Sequence, residues 1–445
     1  MKKLMLLSCF LGFTYAAAAA ETNAPAWLSR PLSLVDCENI TLAQNAVILK
    51  AKDDLEASQG VVIQTRAVAL PQLAATGQYA DKETTLVQTF PGVSGQPHQS
   101  WNAGIQLVQD IYAGGRMVAA FHGATATKKQ ALAQYQTTVA DTLLLVRTAY
   151  YDVLLANQQI VVNEASVNLL QKELDDQQRR FDAGTVPHFN VLRAEVAVAN
   201  AKPALIHARS QYRIAKNVLV NLLGYNLPRA VLEDIPITLM DNFDVAPWNL
   251  ALPDAIQEAL ERRTELQDLR QQINLQELNV VNAKAGYKPT VSAFAGYNWM
   301  NNAFSTDLSD ELDGWNVGGQ LSWNIFDGAL TAGKVKQAKA LYHKSETELV
   351  DRSRQVELNV RTSYSDFIEA REVLDSQSKV QEQAEESLRE ANARFNAGTG
   401  TQLDVLDAET SLTQARTTLV QAQHDYATAR ARLERAIGAD LAPPK

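Results

Sequence analysis

Two hydrophobic patterns alternate along this chain. In the first, every second residue is apolar or small: Trp315, Val317, Gly319, Leu321, Trp323 and Ile325, separated by residues that include Asn316, Gln320, Ser322 and Asn324. A period of two marks a β-strand with one oily and one polar face. Trp101, Ala103, Ile105 and Leu107 follow the same rule, and the partner strands carry Leu73, Ala75, Gly77, Tyr79 and Val291, Ala293, Ala295, Tyr297, Trp299. The pattern predicts four strands in two hairpins, at about 70–80, 101–111, 289–299 and 315–326.

The second pattern is helical and long. Residues 115–183 and 331–397 contain no proline, and at 1.5 Å per residue each helix would reach about 100 Å. Leu349, Val356, Val360, Phe367 and Leu374 have coiled-coil spacing. A shorter helix follows each long one, at 188–223 and 402–437. In the latter, Leu412, Leu419, Tyr426 and Leu433 recur every seven residues, as do Ala408, Ala415, Ala422 and Ala429. Val198, Leu205, Tyr212, Leu219 and Ala194, Ala201, Ala208, Ala215 repeat this in the former. One large and one small residue per heptad lets neighbouring helices approach closely. Pro203 stands where the second copy has Thr417, which predicts a kink.

The two patterns occur twice because the chain is a tandem duplication. RFDAGT (Arg180 to Thr185) returns as RFNAGT (Arg394 to Thr399), and one offset of 214 residues carries Trp101 to Trp315, Tyr150 to Tyr364, Gly184 to Gly398 and Gly224 to Gly438. Before Trp101 the offset is 218, carrying Pro71 to Pro289 and Tyr79 to Tyr297. The layout is a first repeat at 33–224, a linker at 225–252, a second repeat at 253–438 and a tail at 439–445. The glycine of each RF-x-A-G-T phrase ends a long helix in the left-handed conformation, so the phrase is the tip of an antiparallel helical hairpin.

Composition narrows the setting. The first 20 residues read as a secretory leader, with Lys2 and Lys3 before an apolar run and a stretch of alanines. Leu6-Leu7-Ser8-Cys9 has the look of a lipoprotein cleavage box, but it would leave too short a hydrophobic run. Beyond the leader Cys37 stands alone, so no intramolecular disulfide is expected. No later stretch has the ~20 apolar residues of a membrane helix. A net charge of -9 without a basic cluster disfavours nucleic acid. A soluble sheet could bury the oily strand face on a core. Alternatively, the polar face suits a watery lumen, and Tyr79, Trp101, Trp299, Trp315 and Trp323 suit the interfacial belts of an outer-membrane barrel. Four strands cannot close one, and an open edge in lipid is costly. Two chains would supply eight strands and three would supply twelve, the latter with an open lumen.

With the duplicated hairpins, the two RF-x-A-G-T tips and DVLDAET (Asp404 to Thr410) in place, the chain resembles TolC-type outer membrane factors from about Ser33 to Gly438. The resemblance implies a homotrimer with a twelve-stranded β-barrel in outer membrane lipid and a periplasmic α-helical barrel. It implies a passive, non-enzymatic duct of a tripartite efflux pump or of type I secretion, linked by a periplasmic adaptor to an inner-membrane transporter. It places Asp404 and Asp407 in the lumen near the periplasmic entrance, where threefold symmetry would make carboxylate rings that favour cations. A first-turn aspartate also caps its helix, and both roles fit one residue. A tyrosine, an arginine and an aspartate tie the entrance shut in the best-known member; Phe395, Gly400 and Asn190 stand in those places and cannot form the charged part of the lock. The adaptor-docking tips correspond to Arg180, Phe181, Gly184, Thr185, Arg394, Phe395, Gly398 and Thr399.

Other chemistry is thin. There is no phosphate loop, no HExxH and no constellation for an enzyme, a cofactor or a metal. The six histidines, His98 and His188 among them, are scattered. Asp307, Asp310, Glu311 and Asp313 cluster in an expected external loop, where they could hold divalent ions or simply be solvated. With five methionines a dedicated copper or silver relay is not supported, and small-molecule efflux is favoured over polypeptide secretion. A non-conducting trimeric coiled coil of the envelope is the competing structural reading, disfavoured by the duplicated hairpins.

Overall fold

The computed structural model describes residues 26–83, 98–225, 235–243, 246–302, 305 and 307–439. The expected leader, most of the loop between the first two strands, part of the linker and the last six residues lie outside them. Helices α1 (Leu34–Gln44) and α2 (Ala46–Ala67) precede strands β1 (Gln72–Asp81) and β2 (Gln99–Ala113); α3 (Arg116–Asp182) and α4 (His188–Leu222) complete the first repeat. The second repeat gives α5 (Leu252–Arg262), α6 (Thr264–Lys284), β3 (Thr290–Asn301), β4 (Glu311–Ser322), α7 (Leu330–Asn396) and α8 (Gln402–Ile437).

The four strands form one antiparallel sheet in the order β1-β2-β3-β4, so the two hairpins join edge to edge. Tyr79 faces Trp101 across β1/β2, and Tyr297 faces Trp315 across β3/β4. The apolar face is bare. Trp315 is 76 % exposed and Leu73 70 %, and α3 touches the sheet only where it leaves β2. The outer edges of β1 and β4 have no partner strand within the described chain. β4 lies four residues earlier than the alternation suggested. Its ladder against β3 ends at Thr290↔Ser322, because Pro289 just before β3 has no N–H to extend it. Trp323 therefore leaves the strand, and its indole N–H donates to the Tyr287 carbonyl (3.1 Å).

The helices α1, α2, α5 and α6 lie outside the elements predicted from the pattern. They explain how 67-residue helices are fully covered by much shorter ones. α4 covers one half of α3 and α2 the other, and the two meet end to end. Asn45, the N-cap of α2, donates its side-chain amide to the Leu222 carbonyl at the end of α4 (2.6 Å). A β-carbon on Gly224 (φ +80) would stand 2.5 Å from the Gln44 carbonyl oxygen, so only glycine fits this junction. The second repeat builds the same joint from α8 and α6 with other chemistry. Arg263, equivalent to Asn45, donates to the carbonyls of Arg435 (3.3 Å) and Ala436 (3.1 Å). Both solutions satisfy carbonyls that a helix end leaves open.

The chain is thus a wall of four columns: α2 over α4, then α3, then α6 over α8, then α7. Two apolar cores sit at the end-to-end joints. Val146, Tyr150, Leu219 and Leu223 are nearly or wholly buried in one, and Val356, Val360, Phe367, Tyr426 and Leu433 in the other. Cys37 lies inside the first, where burial pushes its thiol up to about 12, so it is inert. Among the described residues α8 packs along both α3 and α7, whereas α4 packs extensively along α3 only and meets α8 just near the tips. Leu192, Val196, Ile206, Ile214 and Val218 of α4 consequently remain exposed. α4 runs unbroken through Pro203.

Candidate functional site

The candidate site is the end of the wall where both hairpins turn. The two tips share one geometry. Gly184 and Gly398 both have φ +74. In the first, the Gly184 N–H donates to Phe181 and the Thr185 N–H to Arg180, at 2.8 and 2.9 Å; in the second, Gly398 and Thr399 donate to Phe395 and Arg394, at 3.1 and 3.0 Å. These are the paired bonds of a Schellman turn. The threonine hydroxyls donate again to the same Arg180 and Arg394 carbonyls. This is why the phrase ends in Gly-Thr: glycine accepts the left-handed backbone, and threonine closes the last open carbonyl twice.

The side chains are less symmetric. The Arg180 guanidinium lies 4.7 Å from the centre of the Phe395 ring. It also donates to Asn396 (3.3 Å) and pairs with Asp176 (2.7 Å). Gln402 of α8 donates to the Asn190 carbonyl (3.3 Å). The first and second tips are therefore tied together within one chain by an arginine on an aromatic face and a hydrogen bond from a side-chain amide. Phe181 packs on His188 (5.1 Å between ring centres). Arg394 is 71 % exposed at its side chain, lies 3.6 Å from Glu390, and its charge also acts on Asp404. Gly400 has a steric reason to be glycine: a β-carbon there would stand 3.0 Å from the Arg394 β-carbon and 3.1 Å from the Phe395 nitrogen.

Asp404 and Asp407 are both exposed, near the start of α8. Asp404 completes a capping box. Its Oδ2 accepts from the Thr401 N–H and hydroxyl, both at 2.8 Å, and its own N–H donates to the Thr401 hydroxyl oxygen (3.3 Å). The Thr401 N–H, more than the hydroxyl, holds the Asp404 carboxyl below the usual aspartate range, so it stays ionised into acid. All its cap bonds fall on one oxygen. At the equivalent positions the first repeat has Asn190 and Arg193, so the acidic pair belongs to the second repeat alone.

Pattern reading missed the groups that join the hairpins. Asp176, Asn396 and Gln402 look like solvent-facing polar residues until the fold brings the tips together. Glu409 is only 4 % exposed and Gln177 is wholly buried, both in the α3–α8 seam. A signal existed: Gln402 and Glu409 are seven residues apart, beside the apolar seam of α8. Higher in the same seam, His424 lies within 2.9 Å of both Asp152 and Asp425. Burial works against its charge, but the two carboxylates outweigh it and raise its pKa. Among the described residues no group of three or more histidine, cysteine, aspartate or glutamate side chains could hold a metal ion.

The Arg180 contacts predict a loosened tip on substitution. Arg180→Ala removes a cation–π contact worth about 0.5–1 kcal/mol at such a site. Distances between spin labels on the two tips should broaden relative to the parent, while the melting temperature barely moves.

The described helices contain no segment long and apolar enough to cross a membrane. Among the described residues the sheet presents a bare apolar face. The comparisons with known proteins agree with this division of labour. The chain is similar to outer membrane protein TolC of Escherichia coli K12, at 25% identity over 92% of this chain and 83% of that protein. It is also similar to the alkaline protease secretion protein AprF of Pseudomonas aeruginosa, at 28% identity over 65% of this chain and 60% of that one. Among solved structures, the CmeC outer membrane channel of Campylobacter jejuni superposes with a TM-score of 0.78 over 91% of this chain and 85% of that chain, at 15% identity. A family model described as "Outer membrane efflux protein" matches twice, over 39–225 and 255–439, once for each repeat. By the match of both halves, this chain belongs to the outer membrane efflux protein family.

Proposed function

We propose that three copies of this chain close a twelve-stranded barrel in the outer membrane, with twelve helical columns forming a periplasmic tunnel below it. The chain is the outer membrane channel of a tripartite export system, with its helical part in the periplasm. The observation that carries a barrel shared between copies is the sheet itself, and the open lumen that a duct needs favours three copies over two. The sheet's lipid-ready face is uncovered and both its edges are open. Backbone groups at such edges find no partner in lipid, so a neighbouring copy must supply one. The exposed apolar stripe on α4, at one end of the wall, likewise suits the free side of α7 at the other end of the next copy.

In this reading the Asp404 and Asp407 carboxylates form the entrance filter. The tips, Arg180, Phe181, Gly184, Thr185, Arg394, Phe395, Gly398 and Thr399, of which Arg180 and Phe395 are half-buried, meet a periplasmic adaptor that connects to an inner-membrane transporter. Arg180 then serves twice, once in the tie to Phe395 and once at the surface. The favoured cargo is small molecules. The secretion role named for AprF supports polypeptide export as the alternative. The reading is tested by single-channel recording of the purified full chain in a planar bilayer. Cation-selective openings are the expected result. A membrane-inserted trimer that stays silent even after truncation of both tips would favour a structural coiled coil instead.

A further inference from the structure

The seam between α3 and α8 joins the two repeats inside each protomer, and close to the tips it carries a row of oxygen atoms without donors. Gln177 Oε1, Gln402 Oε1 and Glu409 Oε2 are buried, and none has a hydrogen-bond partner among the described residues. Several nearby donors are engaged elsewhere, while the Ser166 hydroxyl and the Asn200 amide line the adjoining cavity without reaching Glu409 Oε2. The Gln177 amide donates to Glu173 (2.8 Å) and that of Gln402 to the Asn190 carbonyl. The Thr410 and Thr413 hydroxyls donate to the Leu406 and Glu409 carbonyls of their own helix, and Thr413 also reaches Ser166 of α3 (3.2 Å). Beside Glu409 lies a cavity of about 370 Å³, walled by Ser166 and Leu170 of α3, Ala197 and Asn200 of α4, and Leu406 of α8. A buried carboxylate with an idle oxygen is costly, whereas a carboxylic acid is both neutral and a donor.

We infer that the α3–α8 seam is a protonation-controlled latch of the periplasmic end: closed while Glu409 carries its proton, and loosened when Glu409 ionises and draws water into the adjoining cavity. The groups around Glu409 leave it no counter-charge. From α3 the facing charge is another carboxylate, Glu173. α4 contributes uncharged wall residues, and its Glu195 is exposed. On α7, Glu386 pairs with Arg389, and Glu385 pairs with Arg416 of α8 (2.9 Å). Asp407, on α8 itself, is exposed. Burial, with Glu173 adding to it, holds the Glu409 carboxyl up at about 7. The sign follows. The closed seam favours the neutral form, so closure is undiminished below the ordinary glutamate value of 4.5, weakens as the pH climbs towards about 7, and is weakest above it. The latch is coupled to the entrance because Asp407 stands two residues and Asp404 five residues before Glu409, within the first turns of α8.

The inference rests on the duct reading only for its consequence, so its test reads distance rather than current. Spin labels on Asp182→Cys and Ala397→Cys, exposed positions on the two tips, report the gap between hairpins in the full-length membrane-inserted protein. Cys37 is buried and inert to the label. From pH 5.5 to 8.5 the short-distance population should be lost, with a midpoint near 7. Glu409→Gln should retain that population throughout. Glu173→Gln, which removes the repelling charge and leaves Glu409 in place, should move the midpoint to lower pH. Distances that ignore pH in the parent protein overturn the latch. So does a transition that survives unchanged in Glu409→Gln, which would belong to His424 higher in the seam. Labels that part with pH in a protein that passes no current would keep the latch and count against the duct.

Discussion

Glu265→Ala is expected to destabilise the joint between α8 and α6 by about 3–5 kcal/mol, the usual cost of orphaning a buried charge. Glu265 is the shared anion of two buried cations. It pairs with Arg435 (2.7 Å) and Arg263 (2.9 Å), and all three side chains are between 7 and 12 % exposed. Asp141 adds a second contact to Arg435 (2.7 Å) but is itself 58 % exposed. Burial alone would raise the Glu265 pKa; the charges of Arg435 and Arg263 overcome that and hold it below its ordinary value. Its contribution is therefore present above the ordinary glutamate range and is lost as the pH falls through the lowered value. The apparent melting temperature and hydrogen exchange at the α5–α6 turn should both report the loss. Glu357→Ala gives the contrast. Its partner Arg361 is half exposed on the surface of α7, and such pairs contribute about 0–1 kcal/mol. Equal effects from the two variants would show that the buried network does not carry the joint.

The second large effect concerns conduction. In Asp404→Asn/Asp407→Asn the preference for cations should collapse, because a trimer would lose two rings of three carboxylates at its narrow end. Asparagine is the informative choice. Its side-chain oxygen can still accept from the Thr401 N–H and hydroxyl, so the capping box survives while the charge does not. Reversal potentials in a salt gradient separate the two roles. A loss of selectivity with an unchanged melting temperature assigns the charge to the lumen. A fall in melting temperature with selectivity intact would confine Asp404 to helix capping. In the parent protein the selectivity carried by Asp404 should persist into acid, since its carboxyl is held below the ordinary range, and fade only as the pH falls through that lowered value.

Much of this protein was determined locally and could be read from its residues. Period-two alternation placed the strands, because a strand exposed to two media must segregate its faces whatever else surrounds it. The matched offsets exposed the duplication, and the Gly-Thr of each tip specified a turn that few other sequences can make. Local pattern failed where a residue's role depends on which column stands beside it. Arg147 and Arg361 occupy equivalent positions. Arg147, on the inner column α3, pairs across helices with Glu38 and Glu434, while Arg361, on the end column α7, pairs with Glu357 of its own helix. Asn45 and Arg263 seal the same joint with different chemistry. Glu195 and Glu409 are equivalent too, yet one is exposed and the other buried, because α8 has a neighbour on each side and α4 only on one. Of the helices before each strand pair, α2 and α6 are weakly patterned and held by packing on α3 and α7, whereas α5 is strongly amphipathic and was legible in its own residues. The sequence by itself determined the elements, their repetition and the turns between them, since those depend on backbone geometry and on which medium a face meets. Only the tertiary structure decided which charges are buried, which tips touch and where an acid is left without a donor, since those depend on the company each helix keeps.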